Sequence, residues 1–522
     1  MRRTLVAAAA LFAMSVGPAL AAGSLADAVR QGDHDAAIEM LRKGADVSAA
    51  EPDGSTALLW AAHRGDTDLV KRLIKAGADV TVQNAYGATA LSEAAIVGDA
   101  GMIKALLKAG ADPNGTNPEG QTALMVVART GAVDAARVLV EAGADVNARE
   151  SWGAQSALMW AAAQQHPEMV EYLISAGADV NARGAVRNWQ RKITSEPRPK
   201  DMNKGGFTPL LYAAREGCTE CARYLVEAGA DIDMADPDRV PPLSLAIINF
   251  QFDTAKYLIA AGADVNKWDL YGRTPLFNTV DMNTTPAGGR TDIPSRDATT
   301  GYDIAKLLLE KGANPDIQLK LRPPYRNVPF DRGGDSILST GATPLLRAAK
   351  ASDNPVVQLL IDHGATVDLP NADGVTPLMA AAGLGHGINP TRGRYKTEDQ
   401  GVETLEILYK AGADINAIAN PATKPANDDS VGTPRASFAG SPYAGRNAVH
   451  GAALKGWDNI IRFLAEHGAD VSLVDSRGKT PYDLAAGNYK PGFLEAPPEP
   501  KPETMALLES FMAAQGKAQP GL

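Results

Sequence analysis

Apolar residues recur along this chain in one spacing. From Asp53 the sequence reads DGSTALLWAAHRGDTDLVKRLIKAGADV, with Leu58, Ala61 and Ala62 marking one apolar face and the LVKRLI run a second. Steps of three and four residues predict two short amphipathic helices joined by a tight turn. The pattern then returns as YGATALSEAAIVGDAGMIKALLKAGADP from Tyr86, EGQTALMVVARTGAVDAARVLVEAGADVNAR from Glu119 and WGAQSALMWAAAQQHPEMVEYLISAGADVNAR from Trp152. Later copies start near Gly206, Arg239, Tyr271, Gly341, Asp373, Gly445 and Arg477, and a half-match, SLADAVRQGDHDAAIEMLRKGADV, precedes them all. The sum is roughly twelve units at a period of about 33 residues.

The letters of the unit have local physical reasons. Thr208-Pro209, Thr274-Pro275, Thr343-Pro344 and Thr376-Pro377 set a hydroxyl N-cap before a proline at the first helical position, where its missing N–H costs nothing. Gly65, Gly98, Gly131 and Gly217 suit the turn into the second helix. Gly77, Gly110, Gly143, Gly177, Gly229 and Gly262 suit a left-handed C-terminal position.

These residues resemble the ankyrin family over almost all of the chain. The resemblance implies an all-α ankyrin-repeat solenoid of helix-turn-helix units with β-hairpin fingers between them. The stretch from about Gly206 to Gly478, with its long inserts, is similar to exported bacterial ankyrin-repeat proteins. The array is expected over residues 22–516, followed by a short tail at 517–522. Inserts near 184–204, 319–340 and 418–446 fall between units, and those near 284–300 and 388–400 fall between the helices of one unit. They are expected as surface loops.

The start, MRRTLVAAAALFAMSVGPALAAGS, reads as a signal peptide at 1–21. Arg2 and Arg3 supply the positive region, Leu5 to Val16 the apolar core, and Ala19-Leu20-Ala21 a cleavage rule met near Ala21/Ala22. A periplasmic or secreted protein is expected, with no integral membrane segment after cleavage.

Composition narrows the partners. A net charge of -10 argues against nucleic acid, whose phosphate backbone needs a basic footprint. Within this acidic chain the first insert is basic, with Arg187, Arg191, Lys192, Arg198, Lys200 and Lys204 against Glu196 and Asp201, and it carries Trp189. The insert KLRPPYRNVPFDRGGDSIL is similar in character. Such patches suit an acidic partner or anionic envelope components, or they are solvated surface.

The ankyrin resemblance also implies a concave face formed by the first helices and the finger tips. The residue before the paired alanines is its variable position: Trp60, Glu93, Val126, Trp160, Tyr212, Leu245, Asn278, Arg347 and Ala380. The tip position holds Asp53, Tyr86, Glu119 and Trp152. Aromatic residues dominate binding hot spots, so Trp60, Tyr86, Trp152, Trp160 and Tyr212, with Arg187, Trp189, Arg191 and Lys192 from the first insert, are the candidate partner-binding set. Packing against neighbouring fingers is the competing role.

Catalytic chemistry finds little footing. The histidines are scattered without HxxxH or HExxH spacing, and neither GxSxG nor a phosphate-cradling GxxxxGK[ST] occurs. His450 falls where ankyrin repeats often carry a histidine bonded back to the helix cap. Cys218 and Cys221, the only two cysteines, form a CxxC. Repeat register aligns them with Asp66 and Leu69, so Cys221 fills an apolar position of a second helix and Cys218 its N-terminus. No histidine follows for haem and no second pair completes a zinc site. Unpaired structural thiols and a local disulfide both remain open. The expectation is a non-enzymatic scaffold without cofactor or metal, binding a protein partner through its concave face, finger tips and inserts. Alternatives are an envelope-surface binder using the basic inserts on anionic lipid or polysaccharide, and an enzyme whose site the inserts form.

Overall fold

The computed structural model describes residues 24–191, 200–283, 297–321, 337–385, 397–419, 443–489 and 498–517. The expected signal peptide, the tail beyond 517 and most of the four later inserts lie outside the described residues. Contacts divide the chain into two compact units, one comprising Met1–Arg187 and Lys204–Pro237, the other Asn188–Asn203 and Asp238–Leu522. Among the described residues there are 24 helices and one two-stranded sheet.

In the first unit the helices run in pairs: α1 (Leu25–Gln31) with α2 (His34–Arg42), α3 (Ala57–His63) with α4 (Thr67–Lys75), α5 (Ala90–Val97) with α6 (Ala100–Lys108), α7 (Ala123–Thr130) with α8 (Val133–Glu141), α9 (Ala157–Ala163) with α10 (Pro167–Ser175). Strands β1 (Val186–Arg191) and β2 (Lys200–Gly205) follow in the chain, their residues 188–203 counted with the second unit, and α11 (Pro209–Glu216) with α12 (Thr219–Glu227) closes the first. First helices stack on first helices and second helices on second helices. Leu58, Leu91, Leu124, Leu158 and Leu210 are all buried, as are the alanine pairs Ala61-Ala62, Ala94-Ala95 and Ala161-Ala162. The small side chains let neighbouring first helices approach. The second helices bury larger ones, Leu69, Val70 and Leu73 on α4 and Met102, Ile103 and Leu106 on α6. Each such side chain contributes about 1.5–3 kcal/mol, and no repeat buries its face alone.

The second unit repeats the scheme with α13 (Pro242–Ile248), α14 (Phe252–Ala260), α15 (Pro275–Asn283), α16 (Gly301–Glu310), α17 (Pro344–Ala351), α18 (Asn354–Asp362), α19 (Pro377–Ala381), α20 (Glu398–Lys410), α21 (Ala448–Lys455), α22 (Asp458–Glu466), α23 (Pro481–Ala485) and α24 (Pro502–Ala514). The threonine caps act as expected: Thr208, Thr274, Thr343 and Thr376 each accept a backbone N–H three residues on. The left-handed turn from first to second helix takes glycine at Gly98, Gly131 and Gly217, while Gln165, Phe250 and Ser352 hold the same conformation without it.

The hairpin fingers are short: three of them carry only a single antiparallel bridge, Ala50↔Thr56, Gln83↔Thr89 and Thr116↔Thr122. Side chains close these short loops instead, as where Asn84 Oδ1 accepts from Tyr86 N and Ala88 N. The 184–204 insert is not loop alone, because β1 and β2 pair within it.

Between repeats runs a ladder of asparagines. Asn147 Nδ2 donates to Gly177 O at 3.1 Å, and its Oδ1 accepts from Asp179 N at 2.8 Å. Asn114, Asn181, Asn266 and Asn416 make the same pair of bonds to the repeat that follows. The recurring aspartates thus belong to the joints. Asp368 occupies the asparagine position but has no N–H to give. Its Oδ2 accepts from Asp414 N at 2.9 Å, and its Oδ1 is buried with no hydrogen-bond partner. Burial raises the Asp368 pKa, opposed by the Asp414 N–H and aided by the Asp414 charge. A raised carboxylate pKa means the charge opposes folding above it. Asp368→Asn is therefore expected to stabilise this joint by about 1 kcal/mol at pH 7, the worth of one recovered hydrogen bond. Urea unfolding at pH 7 checks it, and the gain shrinks toward acid as the native carboxyl takes up its proton.

Candidate functional site

In the first unit the face that the ankyrin resemblance assigns to the groove comprises two rows of positions one helical turn apart on the first helices. One row holds Trp60, Glu93, Val126, Trp160 and Tyr212; the other holds His63, Ile96, Arg129, Ala163 and Arg215. The rows are coupled diagonally, from the later position of one helix to the earlier position of the next. His63 Nδ1 lies 2.8 Å from Glu93 Oε2, and the Arg129 guanidinium sits 5.7 Å from the Trp160 ring centroid.

The aromatic candidates separate by burial. Tyr86 and Trp152, at finger tips, are 76% and 65% exposed. Arg187 stacks on Trp152 at 4.5 Å and donates to its carbonyl. Trp60 and Trp160 are half-buried along the inner face. Trp60 meets the His63 ring edge-on at 5.7 Å and donates its indole N–H to Glu51 Oε2 at 2.7 Å. Tyr212 does not belong to the exposed set. It is buried, its ring packs on Phe207 at 5.3 Å, its hydroxyl accepts from Gln155 Nε2, and burial raises its pKa. Trp189 and Arg191 stand on β1 with side chains outside the described residues, and Lys192 lies outside them altogether.

A second exposed column adjoins the first, outside the candidate set. Ile96 is 51% exposed and Val97 45%, both at the end of α5 in the repeat whose tip is Tyr86. Their signal was available three and four residues after Glu93. In the second unit the same column does not face solvent: Leu245, Asn278, Arg347 and Ala380 are all buried. Arg347 is neutralised by Asp281, with Nε 2.6 Å from Oδ1.

Cys218 and Cys221 are joined by a disulfide across the first turn of α12. Cys218 is the N-cap, its Sγ accepting from Cys221 N at 3.2 Å, where Asp66 and Asp99 cap the equivalent helices through carboxylates. Both cysteines are buried, so thiol exchange needs prior opening of the turn. Among the described residues no group of three or more His, Cys, Asp or Glu could hold a metal ion, and no helix is long and apolar enough to cross a membrane.

A family model described as ankyrin repeats (3 copies) matches residues 25–117, 94–184, 192–269 and 298–419. The human Ankyrin repeat and MYND domain-containing protein 1 is 30% identical over 210 residues, 35% of this chain and 19% of the relative. The zebrafish (Danio rerio) Putative palmitoyltransferase ZDHHC13 is 27% identical over 304 residues, 57% of this chain and 35% of the relative. The chain thus spans well under half the length of these curated relatives. Among solved structures, the human ASB11 ankyrin repeat domain is 21% identical and matches with a TM-score of 0.39, covering 46% of this chain and 99% of that one. With family matches over more than half its length, the chain belongs to the ankyrin-repeat family.

Proposed function

We propose that the protein is an exported scaffold that binds a protein partner along the inner face and finger tips of its first unit. Ankyrin repeats generally mediate protein–protein interaction. The observation that carries this reading is one repeat presenting Tyr86, Ile96 and Val97 to solvent together. Single exposed apolar side chains need no explanation, but three on one repeat, with the exposed Trp152 tip two repeats on, form the kind of anchor that hot spots use. Rigid stacking supports it further, since a preorganised face orders little on binding. Export rests on the N-terminal residue pattern, and N-terminal sequencing of the mature protein tests it. Chemistry belongs to the named enzyme among the relatives, and no residue of this chain is assigned a catalytic role.

Affinity capture from the native envelope tests the docking face. Tyr86→Ala with Ile96→Ala is expected to lower partner recovery at least about tenfold, because each anchor is worth about 1 kcal/mol or more. Both side chains are exposed, so the melting temperature should hold. Unchanged recovery rejects this face. Salt-sensitive co-sedimentation with anionic vesicles, unaffected by the double substitution, would favour the envelope-surface reading.

A further inference from the structure

The first unit contains the same arginine–tryptophan pair twice, wired differently. Arg30 and Arg129 each stand two residues before the glycine that ends their helix, Gly32 and Gly131. Trp60 and Trp160 each stand before a buried alanine pair on the next first helix. Helix α1 packs on α3 as α7 packs on α9. In the first copy the pair holds a carboxylate: Arg30 Nε lies 2.9 Å from Glu51 Oε1, and Trp60 Nε1 donates to Oε2 at 2.7 Å. One oxygen goes to each donor.

In the second copy the donors remain and the carboxylate has turned away. Glu150 aligns with Glu51, but it accepts from its own finger, from Trp152 N at 2.5 Å, Gly153 N at 2.6 Å and Gln155 N at 3.0 Å. The cause is local. This finger is one residue longer, with Ala154 at φ +51°, so three backbone N–H groups converge on Glu150. Trp160 Nε1 is shut off from water with no hydrogen-bond partner. Arg129 is exposed and stacks on the Trp160 ring, with no carboxylate beside it among the described residues.

We propose that Arg129 and Trp160 form a carboxylate clamp that takes an aspartate or glutamate side chain of the docked partner, as Arg30 and Trp60 take Glu51. A charged donor and a desolvated N–H reward a carboxylate more than any neutral acceptor, because charge-assisted bonds are the stronger. The Trp160 ring keeps part of its surface open, and the clamp requires the ring to turn so that its N–H, shut off from water here, meets the ligand. The partner thus lays an acidic residue over the fourth and fifth first helices of this unit, α7 and α9. This rests on the first unit's inner face being the docking face.

The test follows the indole N–H signals of the full chain in solution, with nitrogen-labelled tryptophan and Trp160 assigned by Trp160→Phe. The probes are acetyl-Ala-Ala-Glu-Ala-Ala-amide, its glutamine counterpart, and an alanine pentapeptide with a free C-terminal carboxylate. The glutamate peptide should shift the Trp160 signal saturably, and Arg129→Ala should weaken that response at least about tenfold. Glu51→Ala should give Trp60 the same response, since it frees the first pair. No saturable shift, an equal shift from the glutamine peptide, a response confined to the free acid, or indifference to Arg129→Ala each overturns the proposal. If capture still depends on Tyr86 and Ile96 while the indole stays silent, the docking reading stands and the clamp falls.

Discussion

Replacing Arg347 by methionine is expected to cost the second unit about 3–5 kcal/mol, the largest loss foreseen for any one side chain here. Arg347 is 2% exposed and lies on α17, its Nε 2.6 Å from Asp281 Oδ1 on α15. Taking away the guanidinium removes this ion pair from a carboxylate that is itself 9% exposed as a residue. Methionine fills the volume, so the loss reports the broken ion pair and not a cavity. Lys350, also buried, stands one turn further along α17. The double substitution Arg347→Met with Asp281→Leu should recover most of the stability, because replacing both members of a buried pair is often near neutral. Arg347→Lys should fall between, keeping charge but losing the planar fork. Repeat arrays unfold by neighbouring segments, so amide exchange in α15 and α17 is the measurement, with urea unfolding beside it. Wild-type protection in Arg347→Met, or no rescue in the double variant, rejects the assignment.

That ion pair illustrates what the sequence could and could not say. Repeat boundaries, threonine caps and glycine turns were legible because each is a local demand of a single helix end, written again every 33 residues or so. Arg347 was equally visible as a letter in the variable column. Its burial was not, because burial depends on what packs around the face and not on spacing along it. Tyr212 failed for the same reason: Phe207 and Gln155, which enclose it, lie outside its helix.

Trp60 and Trp160 carry the point further. The sequence treats them alike, and both are half-buried as a binding column requires. One added finger residue, Ala154, redirects Glu150 and gives the two indoles different chemistry. The strands β1 and β2 lie in an insert that breaks the repeat and whose sequence is marked by charge more than by alternation. Ile96 and Val97 stand outside the variable column, three and four residues after Glu93.

Acid should loosen the repeat around α21 as the pH falls from about 6.5 to about 4. His450 is fully buried at the third position of that helix. Its Nδ1 accepts from Asn447 N at 3.2 Å, and its Nε2–H donates to Lys479 O at 3.2 Å, so the neutral ring is satisfied on both sides. Burial pushes its pKa down from 6.5 to about 4. The Lys479 carbonyl opposes that shift, Arg446 adds to it, and Asp475 and Asp470 oppose it weakly. Nδ1 also lies 2.8 Å from Asn447 Oδ1, which a protonated ring would engage, but desolvation of the charge outweighs one such bond. The sign follows. The unfolded chain takes up the proton first, so the contribution is complete above about pH 6.5 and gone below about pH 4. A gap from 6.5 to about 4 is worth on the order of 3 kcal/mol. The nearby Asp470 and Asp475, both lowered, lose their contribution only toward the acid end of this window and below it. His450→Gln keeps an amide donor and acceptor near both partners and should flatten stability across it, at some cost at pH 7. Amide exchange of α21 between pH 4 and 7 reads the effect. A slope that persists in His450→Gln would move the acid sensitivity to another group.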